Sequence, residues 1–166
     1  MPEAVVHPLR PIIDPESRVL LLGTMPSPKS REYGFYYGNP QNRFWRVLAA
    51  LWQEPAPRNA EERSSLLHRH HIALWDTLHS CTICGASDSS IRDAVPNDVA
   101  GLLRDYPGVQ QIFTTGTTAK RLYDRLLLPV TGRPALLLPS PSPANARLGL
   151  PQLVEAYRAL LPYTGE

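Results

Sequence analysis

One stretch constrains the fold more than any other. Leu20-Leu21-Leu22 is an apolar run of strand length, and it stops at the turn Gly23-Thr24-Met25-Pro26. A strand that is apolar at consecutive positions is covered on both faces, the mark of a central strand in a parallel sheet. Residues 27–41 follow, polar and punctuated by glycine and proline, before Asn42-Arg43-Phe44-Trp45 opens an apolar helical pattern. A long loop between a buried strand and a helix is where an α/β protein keeps its chemistry.

The rest of the chain repeats this alternation. Arg18 to Leu22 is the first strand. Trp45, Leu48, Leu51 and Trp52 recur at three- and four-residue spacing, an amphipathic helix that ends before Pro55. A second helix runs from Asn59 to about His70, with Glu61 and Glu62 suited to its N-terminus. Ile72 to Leu78 is the second strand, and His79 to Ser90 a second long polar stretch. Ser89 to Ala94 reads as a short helix, and Asn97 as the cap of a helix reaching Tyr106. Val109 to Thr115 is the third strand, Thr117 to Leu128 a helix, Ala135 to Leu138 the fourth strand. A last helix spans about Pro151 to Leu161. The expectation is one three-layer αβα domain around a mostly parallel four-stranded sheet. The Pro-rich residues 1–17 are expected to wrap its surface. Four strand ends then converge on one edge, with the loops at 23–41, 79–90, 115–118 and 139–147.

Composition narrows what those loops can do. The chain has 166 residues and a formal net charge of only +2, so it is no polycation. Lys29 and Lys120 are the only lysines, against fifteen arginines. Arginine suits bidentate phosphate contacts but also ordinary surface pairing. No stretch approaches the roughly 20 apolar residues of a membrane span, and no signal-peptide core follows Met1. A soluble, cytoplasmic monomer is expected, with no membrane partner. Cys81 and Cys84 form a single C-x-x-C; a structural zinc or iron–sulfur cluster normally takes four ligands, so structural or free thiols are favoured over redox or metal roles. No metal site or cofactor is expected. Phosphate-cradling glycine motifs and the G-x-S-x-G elbow are absent. His68, His70 and His71 sit at a helix end away from the loop edge and read as structural. Glu32 and Asp88 are the acidic residues of the loops, and nothing in the sequence brings them together. What remains is Gly, Pro, Ser, Thr, Asn, Tyr and Arg: small rigid loops, hydroxyls and backbone donors for phosphate, and an aromatic to stack on a base. Partnerless connections are the alternative.

At these residues the chain resembles the uracil-DNA glycosylase superfamily, and within it the hypoxanthine-DNA glycosylase branch. Three blocks carry the resemblance in order. The first is Gly23-Thr24-Met25-Pro26-Ser27 with Tyr37-Gly38-Asn39-Pro40-Gln41-Asn42-Arg43-Phe44-Trp45. Next come Asp76 through Ser80-Cys81 and Gly85-Ala86-Ser87-Asp88-Ser89-Ser90-Ile91. The third is Phe113-Thr114-Thr115-Gly116 with Leu138-Pro139-Ser140-Pro141-Ser142-Pro143-Ala144-Asn145. The resemblance implies a monofunctional enzyme that flips a deaminated base from double- or single-stranded damaged DNA and hydrolyses its N-glycosidic bond, with hypoxanthine as the base and uracil or xanthine as further candidates. A uracil-preferring enzyme of the same fold, or a non-catalytic nucleic-acid-binding domain, are the rival readings.

Residue roles follow from the same resemblance. The place of the water-positioning Asp or Asn of relatives falls at Met25, and that of the base-stabilising His at Leu138. Asn42 is then implied as the water-positioning or base-contacting amide, with helix capping as its ordinary alternative. Asn39 is the reserve, with a turn role before Pro40 as its alternative. Gly23, Thr24, Met25, Tyr37 and Thr115 are implied at the base pocket, Tyr37 as the aromatic that stacks on the flipped base, with core packing as its ordinary alternative. Ser27, Lys29, Ser30, Arg31, Arg43, Pro139, Ser140, Pro141, Ser142, Asn145 and Arg147 are implied as DNA contacts.

Overall fold

A computed structural model describes residues 2–164. Its centre is a four-stranded, all-parallel sheet in the order β3-β2-β6-β7, formed by β2 (Val19–Gly23), β3 (Ile72–Asp76), β6 (Gln111–Thr115) and β7 (Ala135–Leu138). The apolar run behaves as its composition requires. Val19 and Leu21 face one core with α2 (Phe44–Leu51), α3 (Ala60–Arg69) and α7 (Leu150–Tyr157). Leu20 and Leu22 face the other with α4 (Val99–Asp105) and the turn at Tyr123–Leu127. All five residues of β2 are buried. The expected three-layer α/β architecture is therefore present. No helix among the described residues is long and apolar enough to cross a membrane.

Several local expectations are corrected. Residues 79–90 do not form an open loop, and Ser89 to Ala94 is not helical. They build an antiparallel hairpin of β4 (Leu78–Cys84) and β5 (Ser87–Pro96), turning at Gly85 with φ 56°. The buried Leu78, Cys81 and Ile83 lie under it, interrupted by register shifts that break a clean alternation. The N-terminal segment does more than wrap the surface. Its β1 (Glu3–Val6) joins this hairpin as a third strand, pairing antiparallel with β4. Within the first long loop lies α1 (Pro28–Tyr33), capped by Ser27, whose Oγ accepts from the Ser30 N–H at 3.2 Å, and closed by Gly34 in the left-handed region.

The helix after β6 is not continuous to Leu128. It runs as α5 (Thr117–Leu122), widens into a π-helical turn over Tyr123–Leu127, and resumes as α6 (Leu128–Thr131). Pro129 explains this: it has no N–H to give to the preceding turn, and its ring crowds the carbonyl four residues back. The described residues end in a short 3₁₀ turn and α8 (Leu161–Thr164).

Asn97 does not cap α4. Asp98 does, accepting from the Gly101 N–H at 3.0 Å. The buried Asn97 amide instead donates to the carbonyls of Asp76 at 2.8 Å and Leu78 at 3.0 Å, locking the corner where β3 turns into β4. Replacing Asn97 with Ala removes both of these buried donors. The expected cost is about 1–3 kcal/mol of stability, read as a lower denaturant midpoint at unchanged m-value.

Candidate active site

The C-terminal ends of β2, β3, β6 and β7 meet at one cavity of about 310 Å³, within the range of small-molecule sites. Its floor is the register pair Gly23 and Asp76, which end adjacent strands. A Cβ on Gly23 would stand 2.6 Å from Asp76 Oδ1, 3.2 Å from the Tyr37 hydroxyl and 3.6 Å from Thr115 Oγ1. Only glycine allows these three polar groups to close over one Cα.

Tyr37 is held from two sides. Its hydroxyl lies 3.0 Å from Thr115 Oγ1, and its ring stacks on Phe44 with centroids 3.9 Å apart. Burial, with the Asp76 carboxylate adding to it, pushes the phenol well above its ordinary range, so it stays a neutral hydroxyl. Asn42 lines the cavity at the start of α2. Its Oδ1 accepts from the Phe44 N–H at 2.9 Å, so it does steady the helix entry, although Arg43 occupies the cap position. Its amino group has no hydrogen-bond partner among the described residues. Asn39 also lines the cavity while its Oδ1 accepts from the Gln41 N–H at 2.9 Å, a turn contact. Thr24, Met25 and Ser27 contribute to the wall, Met25 also packing under the hairpin.

The opposite rim is the Ser-Pro loop: Ser140, Pro141, Ser142, Pro143 and Ala144. Ser140 Oγ accepts from the Ser142 N–H at 3.1 Å, and Asn145 Nδ2 donates to the Ser140 carbonyl at 3.0 Å. The Pro139 carbonyl accepts from the buried Tyr157 hydroxyl at 2.8 Å. A groove adjoins the cavity, sharing Asp88, Thr115, Ser140, Ser142 and Ala144 with it and adding Gly116, Thr117, Asn145 and Arg147.

Three residues grouped as DNA contacts in the sequence, Arg43, Arg31 and Lys29, line neither the cavity nor the groove. Arg43 lies under the Ser-Pro loop, donating to the carbonyls of Pro141, Ser142, Asn145 and Leu148. It ties two site loops together and has little left for a phosphate. Ser30 lines the cavity from α1 but is buried, its Oγ accepting from the Gly38 N–H at 2.8 Å. Arg31 pairs with Glu3 at 3.2 Å, and Lys29 is exposed on α1 outside the cavity wall. Of the two loop acids, Asp88 reaches the cavity from the hairpin and Glu32 does not. Loss of solvent around it pushes the Asp88 carboxyl above its ordinary range, with the Arg121 charge opposing and the Asp76 charge reinforcing. The helix-end histidines stay structural: His68 pairs with Asp14 and His70 with Glu54, both away from the cavity. Cys81 and Cys84 are free thiols. Among the described residues no three His, Cys, Asp or Glu side chains gather as a metal site.

The uracil DNA glycosylase superfamily model matches residues 11–161. The chain belongs to that superfamily. It is therefore an enzyme of the DNA glycosylase class, hydrolysing N-glycosyl bonds. Two curated relatives are each named hypoxanthine DNA glycosylase. The one from Methanosarcina acetivorans is 34% identical over 137 residues, covering 82% of this chain and 85% of the relative. The one from Methanosarcina barkeri is 31% identical over 138 residues, covering 82% and 86%. A solution NMR structure of a Methanosarcina acetivorans protein, described as a candidate uracil DNA glycosylase, superposes with a TM-score of 0.78 at 30% identity, covering 97% of this chain and 99% of that one.

Two residues of this glycosylase site carried no assigned role in the sequence reading. Asp76 sat inside a matching block, and its position at a strand end was the available signal. His7 gave no signal at all. Its Nε2 lies 2.8 Å from Asp76 Oδ2, with the two side chains only 1% and 6% exposed. The Arg43 assignment has a direct check. Arg43→Lys removes most of the carbonyl contacts and should lower stability by about 1.5–3 kcal/mol, while the salt dependence of DNA binding keeps its slope because no phosphate contact is lost.

Proposed function

We propose that this protein is a monofunctional DNA glycosylase that releases hypoxanthine from deoxyinosine in base excision repair, with uracil and xanthine as further substrates. The observation that carries the reading is the composition of one cavity. Carboxamides (Asn42, Asn39), a neutral phenol (Tyr37), a threonine hydroxyl (Thr115) and strand-end backbone (Gly23 to Met25) line a single concavity, with a Ser-Pro loop at its rim. The two relatives named for hypoxanthine support the choice of base.

The chemistry asks for what such a cavity offers. Extruding a base costs a few kcal/mol and is cheapest at a mispair, which favours damaged sites. Breaking the C1′–N bond leaves positive charge on the sugar and negative charge on the departing base. Asn42, with one carbonyl lone pair and its amino group still available, orients a water toward C1′. The Tyr37 and Thr115 hydroxyls and backbone donors stabilise the leaving base. The resemblance puts Met25 in the place of the water-positioning Asp or Asn of relatives; the carboxylates that line this cavity come instead from Asp76 on the neighbouring strand and Asp88 on the hairpin. The rigid Ser140–Ser142 turn, with Arg147 in the adjoining groove, grips the DNA backbone, and wedging into the vacated stack falls to Pro143, Ala144, Asn145 or Arg147.

Asn42→Ala is expected to bind deoxyinosine duplexes normally and to lose about 10²–10³-fold in single-turnover hypoxanthine release, the scale of one lost transition-state contact. Retained release would move the role to Asn39. Parallel assays on uracil- and hypoxanthine-containing duplexes rank the substrates.

Strand incision needs an amine that forms a Schiff base with the sugar. No lysine lines the cavity. Borohydride should therefore trap no protein–DNA adduct, and Lys29→Ala should leave base release unchanged. A trapped adduct would contradict the monofunctional reading.

A further inference from the structure

His7 approaches the cavity floor from outside the sheet. The His7 N–H donates to the His79 carbonyl at 2.7 Å, continuing the pairing of β1 with β4, and this carries the imidazole under Asp76. Its two nitrogens have different neighbours. Nδ1 accepts from the Leu9 N–H at 3.2 Å, so it carries a lone pair. A neutral imidazole with a bare Nδ1 bears its proton on Nε2. The Nε2–H therefore donates to Asp76 Oδ2 at 2.8 Å. This tautomer follows from the hydrogen-bond network, as tautomers must. Asp76 is the acceptor of that bond. Its other oxygen, Oδ1, lies over Gly23 and has no hydrogen bond among the described residues. As a carboxylate it can only accept.

We propose that His7 is a specificity-determining residue: it fixes Asp76 as a hydrogen-bond acceptor at the cavity floor, so the pocket selects a base that presents a ring N–H. Deamination creates that group. Adenine carries a bare N1, hypoxanthine an N1–H; cytosine carries a bare N3, uracil an N3–H. A fixed carboxylate oxygen pairs with the deaminated base and faces the parent base lone pair to lone pair. Such a mismatch leaves a buried acceptor unpaired, the arrangement by which polar sites reject close analogues most strongly. Guanine shares the N1–H, so the pair sorts adenine and cytosine from their deamination products and leaves guanine to other contacts. His7 acts through Asp76 and is a positioning residue. The inference rests on the glycosylase reading above.

The test compares wild type, His7→Ala, His7→Gln and Asp76→Asn. Thermal melting and affinity for undamaged duplex establish that each variant is folded. Single-turnover release is measured for hypoxanthine and for adenine in matched duplexes. His7→Ala should narrow the hypoxanthine-to-adenine ratio by about 10–100-fold, the worth of one charge-assisted hydrogen bond. His7→Gln, whose side-chain amide can donate in place of Nε2–H, should restore most of that ratio. Asp76→Asn, which offers N–H as well as C=O, should narrow it at least as far as His7→Ala. Equal loss on both substrates in His7→Ala, or no rescue by glutamine in a folded variant, would overturn the proposal. Wild-type protein that releases neither base would instead overturn the glycosylase reading.

Discussion

Everything at the site depends on how closely two neighbouring strands end. Gly23 and Asp76 are partners in a parallel ladder, and the glycine's missing side chain lets Asp76 Oδ1 sit over its Cα. The Gly23 carbonyl then accepts from both the backbone N–H and the hydroxyl of Thr77, at 2.8 Å each, and the Thr24 carbonyl accepts from the Leu78 N–H. The Asn97 amide closes the same corner from below. A carboxylate placed this way is fixed by the sheet rather than by a loop, which is the precision an active site needs.

The two loops that face each other across the cavity are also joined. Arg43, at the start of α2, holds the backbone of the Ser-Pro loop through several carbonyls at once. Planar guanidinium geometry makes this possible, and a lysine could not reproduce it. Tyr37, stacked on Phe44 and bonded to Thr115, links the first loop to β6 in the same way. The cavity is thus a preformed frame of small residues, prolines and cross-loop hydrogen bonds. Such a frame spends little conformational entropy when a base enters.

Much of this was legible in the chain. Unbroken apolar runs, Val-Leu-Leu-Leu in β2 and Ala-Leu-Leu-Leu in β7, and the alternation with helices led directly to a parallel sheet. The residues placed after those strands do collect at one edge: Asn42, Asn39, Tyr37, Thr115 and Ser140 share a single cavity. The hairpin β4–β5 was less visible, because serines and a threonine dilute its apolar face and bulges break its period. Asn97 looked like a cap because Asn favours caps, yet Asp98 beside it takes that place and frees the amide for two buried carbonyls. Arg43 looked like a phosphate contact by residue type, and only the tertiary structure turned its guanidinium onto the carbonyls of the Ser-Pro loop.

By itself the sequence determined the layers, since apolar periodicity is local and each strand or helix announces its buried face over a few residues. It also determined which segments could carry chemistry, since polar, Gly- and Pro-rich stretches cannot enter a core. Tertiary structure alone decided the His7–Asp76 pair, which joins residues 69 positions apart. Nothing near His7 in the chain marks it, because its role comes from the antiparallel pairing of β1 with β4. Long-range pairing of this kind sets which proton faces which oxygen, and no local pattern of residues encodes that.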